Sequence, residues 1–214
     1  MKTNIALLFA LALCLMGCSS GWTSRERRII NASDSVMYVT VLQADSSILR
    51  TPSEDLGPAE LSSAELETLK AKMLRTVQNP SQDGVGIAAP QVGINRRVIW
   101  VQRYDKAGEP FECFLNVRID SLGGAVTHGP EGCLSVPPMR GIVPRYSKVH
   151  VSYLDPATGN RVSETVEGYT AIIFQHECDH LNGRLYIDRA DSVFVSESWA
   201  AERKGFSYQK PVWW

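Results

Sequence analysis

Apolar positions recur along this chain with two periods. Leu66, Leu69, Met73 and Val77 fall on one face of a helix at about 100° per residue, and Ser62 with Glu65 forms a capping box in front of them. Val149-His150-Val151-Ser152-Tyr153 alternates as a half-buried strand does, and Arg97-Val98-Ile99-Trp100-Val101 reads as a second strand. Asp155-Pro156-Ala157-Thr158-Gly159-Asn160 supplies a hairpin turn. A second helix runs from about Tyr169 to Asn182, where Gly183 suits a C-terminal cap. His150 then belongs to a sheet face, and His128, beside Gly129-Pro130, to a loop. The predicted fold is α+β, a single domain of antiparallel strands packed around a central helix.

The N-terminus has a different pattern. Lys2 precedes an apolar run from Ile5 to Met16 that is too short to span a bilayer and has no polar face. A positive residue, an apolar core and a small residue before a cleavage point describe an export signal over residues 1–17. Leu15-Met16-Gly17-Cys18 resembles a lipoprotein lipobox, which implies lipidation of Cys18 and a membrane anchor through lipid. Residues 18–36, rich in Ser and Arg, read as a tether to a catalytic domain over 37–190, with a tail of unassigned role over 191–214. Translation from Met37 would instead give a cytoplasmic protein.

Composition narrows the partners. The 214 residues carry a formal net charge of −1, which gives no reason to expect nucleic-acid or strong anionic-membrane binding, so membrane contact should come from lipid. Cys14 leaves with the signal and Cys18 would be acylated, so Cys113, Cys133 and Cys178 form no disulfide framework. Cys178 lies about 200° around the helix from His176, a core position.

The strongest chemistry is in Gln175-His176-Glu177-Cys178-Asp179-His180. Residues four apart on a helix share a face, so His176 and His180 can hold one divalent ion, and Glu177 can take a proton from a water on it. Cys133, in Glu131-Gly132-Cys133-Leu134-Ser135-Val136-Pro137, is a suitable third ligand. Gly84-Val85-Gly86-Ile87-Ala88-Ala89-Pro90-Gln91-Val92-Gly93 permits close backbone approach and ends on an amide donor suited to a developing oxyanion. No Lys-Ser or Lys-Thr follows these glycines, so a phosphate loop fits poorly.

Together and in this order, these three segments resemble the signature motifs of the peptide deformylases, and the resemblance extends from about Val39 to about Asp188. It implies removal of the formyl group from N-terminal formylmethionine. Cys133, His176 and His180 would bind one metal, usually Fe2+ with Zn2+ or Ni2+ as substitutes, and Glu177 would be the general acid and base. Gln91 and the backbone N–H of Leu134 would stabilise the oxyanion, Gly86 would contact the substrate backbone, and Arg140 would lie near the bound peptide. Formylated peptides or nascent-chain N-termini are the expected partners; oligomeric state is not legible. Pro138-Met139 departs from the polar or glycine residues more usual there.

Two other readings remain at this stage. A zinc metallopeptidase would take Glu197 or Glu202 as third ligand, and a lipid-anchored descendant would bind formylated peptides without hydrolysing them.

Overall fold

The computed structural model describes residues 21–42, 46–81 and 84–196. The predicted signal, Cys18, Glu197, Glu202 and the tail beyond Ser196 lie outside the described residues.

Three helices come first: α1 (Ser24–Ile30), α2 (Pro58–Leu61) and α3 (Ala64–Val77). Strands β1 (Gly86–Ala88), β2 (Val98–Gln102), β3 (Phe111–Gly132), β4 (Met139–Leu154) and β5 (Arg161–Glu167) follow, then α4 (Gly168–Leu181) and β6 (Ser192–Val195). All pairings between these strands are antiparallel, in the order β1-β2-β3-β4-β5, with β6 on β4. The α+β reading with a central helix is therefore right.

β4 changes partner along its length. Lys148–Leu154 pairs with β5 and Met139–Ile142 pairs with β6. The β3·β4 ladder shifts register between Leu115/Arg118, Ile119/Ser121 and Gly123/Val126, irregularities that let two long strands bend.

The sheet is buried on both faces where β2 crosses it. Val98 points into the cluster formed by Leu66, Leu69, Met73 and Val77 of α3. Ile99 and Val101 point the other way, onto Phe174, Cys178 and Leu181 of α4. A strand covered on both sides loses its alternation, which is why 98–101 reads as an unbroken apolar run. α4 is buried nearly all round, and it ends on Gly183 at φ +69, where an added Cβ would lie 2.6 Å from the Arg50 carbonyl oxygen.

Four expectations change. Ser63, and not Ser62, caps α3, its hydroxyl accepting from the Leu66 N–H at 3.2 Å while the Ser62 hydroxyl donates to the Pro58 carbonyl. Of residues 21–36, expected as tether, 22–30 are packed structure, while 31–35 are exposed. Thr23 and Glu26 form a capping box at α1, Trp22 and Ile30 enter the α3 core, and Glu26 pairs with buried Arg96 at 3.1 Å. Serine and arginine content hid an amphipathic turn whose charge partner lies seventy residues away. His128 is a strand residue opposite Pro144, its Nδ1 2.6 Å from Asp191. Pro130 is tolerated there because β2 pairs only with residues 111–115, leaving the far half of β3 an edge. Finally, the domain continues past residue 190 into β6.

Candidate active site

Three motif segments meet at the C-terminal half of α4. The segment from Gly84 to Gln91 enters from β1 and the turn Ala89–Val92, Glu131–Ser135 comes off the end of β3, and α4 presents His176, Glu177 and His180. The extended segment before α2 clamps the first two side by side, because the Thr40 N–H donates to the Gln91 carbonyl and the Leu42 N–H to the Ser135 carbonyl, both at 2.7 Å. A cavity of about 380 Å³ results, lined by Gly86, Gln91, Cys133, Leu134, Arg140, His176 and Glu177 among others.

Cys133, His176 and His180 place one ligand atom each within 4.8 Å of one another. Cys133 Sγ lies 3.2 Å from His180 Nε2 and accepts from the Ser135 N–H at 3.4 Å and from Gln91 Nε2 at 3.6 Å. His176 Nδ1 is held 2.8 Å from Glu131 Oε2, which turns its other nitrogen toward the cluster. Burial opposes charge on both imidazoles. It wins at His180, kept well below the usual histidine range and so neutral, whereas hydrogen bonds with Cys133 and Glu131 outweigh it at His176 and raise that ring well above. A soft sulfur, two imidazoles and a site that draws positive charge fit a divalent transition metal.

Behind the ligands is a charge network that the sequence did not reveal. Burial pushes Glu131 upward, but hydrogen bonds from His176 and Arg145 prevail and hold its carboxyl at about 2. Arg145 spans Glu131 at 2.7 Å and Asp179 at 2.6 Å, and Arg189 reaches Asp179 at 2.8 Å. Glu131 and Asp179 stand inside the motifs already singled out, beside Cys133 and His180, and that adjacency was the available signal. Arg145 lies in β4 with no local mark.

Glu177 is buried, and its Oε2 has no hydrogen-bond partner among the described residues. Burial, opposed by the charge on His176, pushes its carboxyl up to about 7. A carboxyl with a free oxygen and a pKa near neutrality can both take and return a proton. Gly86 contributes by what it lacks: a Cβ there would lie 2.4 Å from Glu177 Oε1 and 2.9 Å from Ile173 Cγ2. Its place is against the Glu177 carboxylate as well as in the cavity wall.

Gln91 is oriented by its own turn. The Ala88 N–H donates to its Oε1 at 2.8 Å, so Nε2 must be the end that faces Cys133 and Ser135, where it donates at 3.6 and 3.3 Å. Leu134 follows Cys133 on the cavity wall, and Arg140, exposed at the rim, lies across the backbone of Gly132. Pro137 and Pro138, joined by a cis peptide, make the turn that returns β3 into β4. Cys113 and Cys178 stay outside the site, both buried, with burial pushing each thiol up to about 12.

The polypeptide deformylase family model matches residues 38–194. A peptide deformylase of Leptospira biflexa is 40% identical over 162 residues, 72% of this chain and 88% of the relative. Peptide deformylase 2 of Pseudomonas syringae is 44% identical over 139 residues, 62% of this chain and 76% of the relative. The actinonin-bound class I type b peptide deformylase of Acinetobacter baumannii superposes with a TM-score of 0.64 at 38% identity, over 73% of this chain and 99% of that one. The same enzyme with Met-Ala-Ser bound gives 0.64 at 37% identity, over 72% and 98%. By its motifs, its fold and these relatives, the chain belongs to the peptide deformylase family.

Proposed function

We infer that this chain hydrolyses the N-terminal formamide of formylmethionyl peptides, and the observation that carries the reading is Glu177 beside the Cys133–His176–His180 cluster in one cavity. Cys133, His176 and His180 would hold a divalent ion, which would supply Lewis acidity when bound. Glu177 takes the proton of the attacking water and returns it to the departing amine nitrogen. Gln91 Nε2 and the Leu134 N–H stabilise the oxygen as it gains negative charge. Gly86 and Arg140 border the bound peptide. Deformylation of a formyl-methionyl peptide by anaerobically purified, iron-supplied protein tests this. Abolition by Glu177→Ala is the expected result, and undiminished turnover would refute the assignment. Metal loss in Cys133→Ala is expected too, since Cys133 fills the place that Glu197 or Glu202 would take in a metallopeptidase.

We propose Fe2+ as the native metal, on the resemblance of the donor set, with Zn2+ or Ni2+ as substitutes. Metal analysis of protein purified without oxygen decides it.

We also propose that the enzyme is exported and anchored through lipid on Cys18. The packing of residues 22–30 supports the longer reading frame, because a chain begun at Met37 would lose Trp22 and Ile30 from the core and strip Glu26 from Arg96. No helix among the described residues is long and apolar enough to cross a membrane. Fractionation finding the protein only in soluble cytoplasm would overturn export.

A further inference from the structure

A second concavity lies away from the active site, between α1 and the segment that follows it. It has a volume of about 610 Å³ and is lined by Arg25, Arg28, Ile29, Val36, Met37 and Tyr38 among others. It shares no lining residue with the catalytic cavity. Its rim is cationic for a reason local to α1. Glu26 turns inward to Arg96 at 3.1 Å and Arg27 leans on Glu65 at 3.6 Å, so both are occupied within the protein. Arg25 and Arg28, three apart and hence on one face, are exposed and have no ion-pair partner among the described residues. Asp34 is the single acid on the lining, and the buried ammonium of Lys72 donates instead to the Ile30 and Ala32 carbonyls. Beside the two arginines, Tyr38 stands 75% exposed over the partly apolar floor, an aromatic ring with a polar tip.

We propose that this surface seats on an anionic phospholipid bilayer, with Arg25 and Arg28 on headgroup phosphates and Tyr38 at the interface. The inference rests on the exported, lipid-anchored reading. In sequence α1 follows Cys18 by six residues, and Trp22, four residues after Cys18, is docked in the core. A small basic surface is a usual second attachment beside a lipid anchor, drawn to anionic headgroups close to the bilayer.

The test uses the chain from residue 18 onward with Cys18→Ser, hence unacylated, in flotation with vesicles of equimolar phosphatidylcholine and phosphatidylglycerol. Binding is expected there, weakened by added salt and weak on phosphatidylcholine alone. The double variant R25Q/R28Q should bind about thirty-fold more weakly, about five-fold for each arginine. R118Q/R161Q, which removes the same charge from β3 and β5, should bind as the parent does. Hydrolysis of a soluble formyl-methionyl peptide, which neither arginine touches, should be unchanged and confirms folding. Parental binding by R25Q/R28Q, an equal loss in R118Q/R161Q, or equal affinity for both vesicle types would overturn the proposal. So would a concentration-dependent dimer abolished by R25Q/R28Q, which would make a second copy the occupant. Acylation of Cys18 is read separately, by mass spectrometry of protein from cells, so failure of the anchor and failure of this surface are distinct results.

Discussion

Gly86→Ala adds one methyl group to a place already filled. The new Cβ would lie 2.4 Å from Glu177 Oε1, 2.9 Å from its Cδ and 2.9 Å from Ile173 Cγ2, so the carboxylate or β1 must move. Gly86 is fully within the core side of β1 and does not have a positive φ, so the penalty comes from contact and not from backbone strain. Overpacking of this kind costs about 1–3 kcal/mol of stability, which lowers the melting temperature by about 2–4 °C per kcal/mol in a domain of this size. Catalysis should suffer more, since displacing a proton-transfer group by about 1 Å costs on the order of 10²-fold. Steady-state hydrolysis of a formyl-methionyl tripeptide should show kcat falling about 10²-fold, with KM near parental and metal content unchanged, because the atoms nearest the added methyl belong to Glu177 and Ile173 and not to Cys133, His176 or His180. Parental kcat in a folded Gly86→Ala protein, or a defect confined to KM, would refute the idea that this glycine exists to seat Glu177.

Other substitutions probe the surroundings. Glu131→Gln removes the charge that orients His176 at 2.8 Å, and metal affinity measured by chelator competition should fall about 10–100-fold. Arg96→Ala leaves Glu26 and Glu60, both buried, without their cation, and denaturant titration should show a loss of about 3–5 kcal/mol, with activity retained in what remains folded. Asp105 is held at about 2 against an ordinary 3.8, chiefly by the hydrogen bond from Arg103. A depressed carboxyl stabilises the fold above its unfolded pKa and loses that contribution as pH falls toward the folded one. The stability advantage of the parent over Asp105→Asn should therefore shrink between pH 3.8 and about 2, and a difference independent of pH would contradict the assignment. Finally, acetyl-methionyl peptides should turn over at least about 10-fold more slowly than formyl-methionyl ones, since a site fitted to a carbonyl that carries only hydrogen rejects a bulkier acyl group.

The site was legible where chemistry and spacing coincide. His176 and His180 share a helix face by arithmetic alone, and the glycine-rich and cysteine segments carry enough fixed letters to be found by resemblance. The helix over Leu66–Val77 and the doubly covered strand at 97–101 were visible for the same reason, because burial imprints a period or suppresses one. What stayed hidden depends on partners distant in the chain. Arg145 reaches Glu131 and Asp179 across the β3–β4 turn and α4, and nothing near residue 145 announces it. Residues 22–30 looked like a linker because their binding partner, Arg96, arrives from the turn before β2. His128 looked like a loop residue because Gly129-Pro130 breaks strands in general but not at an edge.

The docking of Trp22, through its indole N–H to Ser63 at 2.9 Å and its ring under Arg96, fixes how far the enzyme can stray. With Cys18 acylated as proposed, four peptide steps separate the lipid from the domain, a leash of roughly 14 Å at full stretch. An enzyme so anchored would patrol a layer and not a volume. It would meet chain ends only as they pass within that layer, so its working rate would follow the traffic of formylated termini along the membrane face, and lengthening the leash would enlarge its territory without altering a single catalytic group.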